Sequence, residues 1–272
     1  MRTIGILGAS FCGSTVVTSI LDGIPGVAGV GETHWVLDDT NGDWHCRQCG
    51  PDCEYITPEF IGRCQVDFFP WWEKWARQFR VDVVVASEKW WKNYERLGAP
   101  DQALVVYREP AAWCVSWLHH QRVKEADVVL AEIRPTPAEL EAAAKTWTTC
   151  YNNALDWVAK RGAPAVALPF EDLITRPSST FHWLCGRLDL PAHVDALDYK
   201  ARDHHQIRGN AFAQLGVVVR KDRPRYLREK QLLLPSHLAE DKRHLRALKE
   251  DQIEAINESE PVRATLARLE AV

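Results

Sequence analysis

The sequence predicts an α/β protein, an open parallel sheet with helices on both faces. Two observations predict it. Short β-branched runs bounded by turn residues alternate with longer stretches whose apolar residues recur at helical spacing. The short runs are apolar almost throughout, as strands covered on both sides must be, and a chain alternating strand and helix builds a parallel sheet.

Residues 3–8 form the first such run, Gly8 to Gly13 turn the chain, and Val16, Val17, Ile20 and Leu21 mark a helix that Gly23 and Pro25 end. A second strand is expected just before Gly31 and Glu32. Residues 40–66 are rich in Asn, Gly, Asp, Pro and Cys and read as a long ordered loop or insertion. Val81 to Ala86 and Ala103 to Tyr107 are further buried strands, the latter followed by a helix opened by Pro110. Between Pro137 and Lys160, Leu140, Ala144, Trp147, Tyr151, Ala154, Leu155 and Val158 keep a 3.6-residue period. Another strand follows near Ala163–Leu168, and from Leu232 onward the pattern is charged and helical. No linker or repeat divides the chain, so one domain over residues 1–272 is expected, with a Cys-rich loop at about 42–66.

Composition sets bounds on function. A net charge of -4 argues against a general nucleic-acid binder, which needs a basic face to displace counterions. No stretch reaches the roughly 20 apolar residues of a membrane span, and the first residues read as a strand, so a cytoplasmic protein without a membrane partner is expected. Oligomeric state is not legible. Of the 8 cysteines, Cys12, Cys114, Cys150 and Cys185 fall in core elements, where a reduced thiol acts as a small apolar group. Most of the 12 tryptophans should pack the core, Trp71, Trp72, Trp75, Trp90 and Trp91 among them.

The candidate chemistry starts at Gly8-Ala9-Ser10-Phe11-Cys12-Gly13-Ser14-Thr15. A loop joining strand to helix aims backbone N–H groups and the positive end of a helix dipole at an anion. The glycine spacing is that of a nucleoside-triphosphate loop, but Ser14 stands where that motif carries lysine. The β- and γ-phosphates of ATP would lack their charge partner, whereas a smaller 5′-phosphate group is served by the N–H groups and the Ser14 and Thr15 hydroxyls. A plain strand-to-helix turn is the bland alternative.

Arg108 follows the strand ending at Tyr107, and Ser116 lies on the next helix. Strand ends of this kind are where ligands sit in open α/β sheets, and a forked guanidinium suits phosphate. The Arg108–Ser116 pair resembles the 3′-phosphate site of sulfotransferases that use 3′-phosphoadenosine 5′-phosphosulfate (PAPS). Ser87-Glu88-Lys89 resembles that family's acidic-Lys motif, which implies that Lys89 reaches the bridging and sulfuryl oxygens. Phe170-Glu171-Asp172-Leu173 resembles its Tyr-Glu-Asp-Leu helix start, with Phe170 in place of tyrosine. His205 to Gly209 and Asn210, with Arg220 and Lys221 beyond, is similar to the basic segment that closes over the 3′-phosphate. Gly31-Glu32-Thr33 resembles the segment of tyrosylprotein sulfotransferases whose glutamate is the base, which implies Glu32 as base and His34 as second choice. The resemblance covers about residues 3–230 and departs at Phe11, where the family carries Arg or Lys.

The implied activity is sulfuryl transfer from PAPS to a hydroxyl or amine of a small-molecule acceptor by in-line displacement. Gly8, Ser10, Phe11, Cys12, Gly13, Ser14, Thr15, Arg108, Ser116, Phe170, Gly209, Asn210, Arg220 and Lys221 would bind the donor. The alternatives are a nucleotide or small-molecule kinase on a similar scaffold and, because of Phe11, a nucleotide-binding protein without catalysis. The acceptor pocket is expected from the cysteine loop, the Trp71–Trp75 helix and the segment near 123–136. Cys46, Cys49, Cys53 and Cys64 supply enough soft ligands for a structural zinc, although only Cys46 and Cys49 have ordinary zinc-ligand spacing. Reduced or disulfide-linked cysteines are the alternative. The His119-His120 and His204-His205 pairs receive no role.

Overall fold

Five short strands line up as β2-β3-β1-β4-β5, every neighbouring pair parallel, in a computed structural model that describes residues 1–38, 45–46, 49–50, 52–66, 70–126, 134–208 and 243–272. They are β1 (Arg2–Leu7), β2 (Val27–Gly31), β3 (Val83–Lys89), β4 (Gln102–Tyr107) and β5 (Ala165–Pro169). Alternate residues of one strand feed opposite cores because strand side chains have a period of two. Ala103, Val105 and Tyr107 of β4 face one core, and Leu104 and Val106 face the other.

Each face has its own cover. α1 (Ser14–Asp22), α8 (Phe170–Thr175) and α9 (Pro177–Arg187) place Val17, Ile20, Leu173, Phe181 and Leu184 against Ile4, Ile6, Leu104 and Val106. On the other face, α4 (Trp71–Phe79), α5 (Trp91–Leu97), α6 (Pro110–Ala126) and α7 (Pro137–Arg161) bring Trp71, Trp75, Tyr94, Trp113, Trp147 and Tyr151 onto Leu7, Val84 and Val105. α7 is capped by Thr136, whose hydroxyl accepts from the Glu139 N–H while Glu139 reaches back to the Thr136 N–H, a reciprocal cap that sequence reading overlooked.

The remaining elements are α2 (Trp35–Asp38), α3 (Pro58–Val66), 3-10 turns at Val194–Leu197 and Tyr199–Ala201, and C-terminal helices α10 (Arg243–Ala247), α11 (Glu250–Asn257) and α12 (Glu260–Glu270). Two expectations need correction. Residues 40–66 are not loop throughout, because α3 lies within them. Trp90 is half exposed rather than core, whereas Trp71, Trp72 and Trp75 are buried. Among the described residues no helix is long and apolar enough to cross a membrane.

The connections from β1 run to one side of the sheet, toward β2, and those from β4 run to the other, toward β5. The crevice beyond the carboxyl ends of β1 and β4 is therefore the topological switch point, where open α/β sheets bind ligands. Register delivers the motif residues there. Leu7 pairs with Lys89 on one side and Val105 on the other, and Tyr107 pairs with Pro169. Gly8, Lys89, Arg108 and Phe170 thus leave the sheet at adjacent strand ends.

Candidate active site

The glycine loop leaves β1 and enters α1 at Gly13, whose φ of 98° is left-handed. A Cβ there would lie 2.3 Å from the Phe170 ring, so backbone conformation and packing both demand glycine. Gly8 runs so close to β4 that a Cβ on it would fall 2.4 Å from the Val106 carbonyl. Packing therefore accounts for these glycines without a ligand. What the loop offers an anion is the start of α1, which carries no acidic residue in its first turn and no side-chain cap, with the buried Ser14 and Thr15 hydroxyls beside it.

Two residues expected at the donor site, Cys12 and Phe170, also pack the loop itself. Cys12 is fully buried in the core, its thiol pushed up by burial, and its amide donates to the Ala9 carbonyl at 3.2 Å. The Phe170 ring covers Gly13. Phe11 adopts a left-handed φ of 69° and packs on His120, with ring centres 4.6 Å apart. The Ser10 carbonyl accepts from the Trp113 indole at 2.6 Å, which ties the loop to α6.

On the β4 side, Arg108 and Ser116 meet as the sequence suggested. Arg108 Nη1 donates to Ser116 Oγ at 2.9 Å, its Nε faces Glu171 at 3.5 Å, and its carbonyl accepts from the Trp147 indole at 3.2 Å. The guanidinium is thereby a buried, oriented cation one strand from the loop. Burial, only partly offset by Arg108, raises the Glu171 carboxyl above its ordinary range.

On the β3 side, Lys89 Nζ donates to Glu32 Oε1 in a short ion pair, with the side chains 11% and 14% exposed. The backbone of Lys89 is left-handed at φ 60°, and its carbonyl accepts from Gly8 N at 3.1 Å. Glu32 Oε2 accepts from the Trp35 indole at 3.2 Å, and the Arg208 guanidinium stacks over that indole at 4.2 Å. Burial alone would raise the Glu32 carboxyl. The charge and hydrogen bond of Lys89, with the Trp35 bond, outweigh burial and hold it below the ordinary range.

Glu88 is the organiser that sequence reading missed. Fully buried, its carboxylate accepts from Thr33 N at 2.8 Å, Thr33 Oγ1 at 2.5 Å and His34 N at 3.1 Å, and it also pairs with His34 Nδ1. The Trp71 indole donates to Thr33 Oγ1 at 2.9 Å. Consecutive residues of β3 thus split the work: Glu88 clamps the turn after β2, and Lys89 meets the carboxylate which that turn presents. His34 is held on Glu88 through Nδ1, which fixes the orientation of its ring.

The cysteine loop departs from expectation in its fourth member. Cys46, Cys49 and Cys53 gather around His205, and Cys64 lies outside the group. The Cys53 thiol is held down, to about 3, by its hydrogen bonds with Cys46 and His205. Gly209, Asn210, Arg220 and Lys221 lie outside the described residues.

With this geometry in hand, known structures can be compared. The chain superposes on the sulfotransferase domain from the curacin biosynthetic pathway with a TM-score of 0.56 at 15% identity, covering 98% of this chain and 95% of that one. The sulfotransferase domain from the Synechococcus PCC 7002 olefin synthase gives a TM-score of 0.56 at 18% identity, with 94% of each chain covered. The fold is that of a sulfotransferase domain. No protein-family model and no curated protein sequence matches the chain. In the sulfotransferase fold of this chain, the glycine loop, Lys89 and Arg108 share one end of the sheet, through the register described above.

Proposed function

We propose that the protein transfers a sulfuryl group from PAPS to a hydroxyl or amine of a small-molecule acceptor. One observation carries the reading: three electropositive groups meet at the switch point. The start of α1 lies in the middle, Lys89 with Glu32 on one side, and Arg108 with Ser116 on the other. That donor set fits an adenosine carrying anionic groups at both its 5′ and 3′ positions, and it fits a triphosphate poorly because Ser14 replaces the lysine of ATP loops.

The roles follow from charge. The α1 start with Ser14 and Thr15 would hold the 5′ side, and Arg108 with Ser116 the 3′-phosphate. PAPS supplies an activated sulfuryl group whose departure leaves negative charge on a bridging oxygen. With Phe11 in place of a basic residue, Lys89 is the cation for that charge. Glu32 would take the proton of the acceptor. An ammonium drawn away from Glu32 leaves a buried carboxylate whose desolvation raises its proton affinity, so one displacement both stabilises the leaving group and readies the base. Gly209, Asn210, Arg220 and Lys221 remain expected contributors to the 3′ side.

The test has two parts. Adenosine 3′,5′-bisphosphate should raise the melting temperature while magnesium-ATP does not. Glu32→Gln should then lower transfer from labelled PAPS by about a hundredfold or more and leave the bisphosphate shift intact. Stabilisation by magnesium-ATP alone overturns the reading. Turnover of Glu32→Gln within a few-fold of the parent protein moves the base elsewhere.

A further inference from the structure

Four ligand atoms from two distant stretches of chain converge beside the end of β2. The Sγ atoms of Cys46, Cys49 and Cys53 and a ring nitrogen of His205 all lie within 4.8 Å of one another. From His205 Nδ1 the sulfurs stand at 3.3 Å for Cys49, 3.3 Å for Cys53 and 3.9 Å for Cys46. Zinc bonds of about 2.3 Å to sulfur and about 2.0 Å to nitrogen give a tetrahedral S–N edge of about 3.5 Å. The observed edges fall on both sides of that value.

The backbone is arranged for thiolates. Cys49 N points at Cys46 Sγ at 3.4 Å, and Ile56 N points at Cys53 Sγ at 3.3 Å. Gly50 N donates to the Cys46 carbonyl at 2.9 Å and closes the turn that brings the first two sulfurs together. Amides aimed at sulfur offset the charge of a metal-bound thiolate and fix its direction, the part that outer-shell groups play in metal sites. The His205 ring is itself held between Tyr55 and Phe79, at 4.7 Å and 6.5 Å between ring centres.

We propose that Cys46, Cys49, Cys53 and His205 form a structural zinc site that fastens the cysteine loop to the 204–208 segment and so steadies the backbone of Glu32. Three thiolates and one imidazole select zinc, and four protein ligands close the site to substrate. Each thiol that binds as thiolate gives its proton to solvent on loading.

The link to Glu32 is short. Directly after His205, the Gln206 side chain donates to Ser19 Oγ at 3.0 Å, and Ile207 N donates to the Val30 carbonyl at 3.2 Å. The Arg208 carbonyl then accepts from Glu32 N at 3.2 Å. Gly31, at φ 79°, permits that approach, because a Cβ on it would lie 2.3 Å from the same carbonyl. The 204–208 segment therefore borders β2 up to the carboxylate that meets Lys89, and the metal would pin its start.

The site is read without any substrate, so its fate is separate from that of the sulfuryl-transfer reading. Full-length protein purified without chelators from zinc-supplied medium should hold about one zinc per chain by mass spectrometry. His205→Ala and Cys49→Ser should lose it, and Cys64→Ala should keep it. Stripping zinc from the parent protein should cost the Ile207 and Glu32 amides about tenfold or more of their hydrogen-exchange protection, and zinc alone should restore it. The parent protein decides the matter even if variants misfold. Folded parent protein with less than about a tenth of an equivalent of zinc overturns the site. So does loss of zinc in Cys64→Ala with retention in His205→Ala. Unchanged protection at Ile207 and Glu32 overturns the coupling to the base.

Discussion

Lys89 pays for its position with a left-handed backbone, an unusual conformation for a long side chain, and two bonds hold it there: its carbonyl to Gly8 N and its ammonium to Glu32. The pairing has a consequence for pH. A carboxyl whose folded pKa is depressed contributes stability above its unfolded value, ordinarily 4.5, and loses it as pH falls through the folded value. Lys89→Met leaves the burial of Glu32 without compensation and reverses the sign of that contribution. The acid-unfolding midpoint, followed by tryptophan fluorescence, should therefore move to higher pH, and the acid limb of turnover should rise with it. An unchanged midpoint would mean that the ion pair does not set the Glu32 pKa. Glu32 and Lys89 were legible singly because each sits in a short motif. The role of Glu88 was not, since its partners Thr33 and His34 lie 55 and 54 residues away and nothing in a strand sequence announces them. His205 escaped for the same reason, at 152 to 159 residues from its sulfur neighbours.

At the scale of elements, the junction of β1 with α1 depends on the start of α8. Gly13→Ala should destabilise the protein by about 2–4 kcal/mol, combining strain at φ 98° with a collision against Phe170. Adding Phe170→Ala should relieve the collision but not the strain, so a denaturant double-mutant cycle should show about 1–2 kcal/mol of favourable coupling. Strict additivity would mean that the ring yields freely. The strands and long helices were legible because their periods of two and 3.6 run over enough residues to stand out. α3 was not: Gly62 interrupts it, and only Phe60, Ile61 and Cys64 of its nine residues are buried. His205 stands with Cys46, Cys49 and Cys53 where the sequence suggested Cys64, and counting cysteines could not bring in a residue so far along the chain.

Across the whole molecule, the order β2-β3-β1-β4-β5 matters more than any single motif, and it was not written in the sequence, which showed only that strands alternate with helices. The order puts the glycine loop and Arg108 on neighbouring strands whose connections diverge, so the two proposed grips belong to different βα units facing one crevice. If they hold opposite ends of one nucleotide, they can be separated by ligand choice. Arg108→Ala removes a charged hydrogen-bonding partner of the 3′-phosphate and should weaken adenosine 3′,5′-bisphosphate by about ten- to a hundredfold. Adenosine 5′-phosphate has no group for that guanidinium to grip, so its affinity should change by less than about threefold. Calorimetric titration of both ligands against both proteins gives the comparison. Equal losses would place Arg108 in the general stability of the crevice, through Glu171 and the Trp147 bond, instead of in reading the 3′ end.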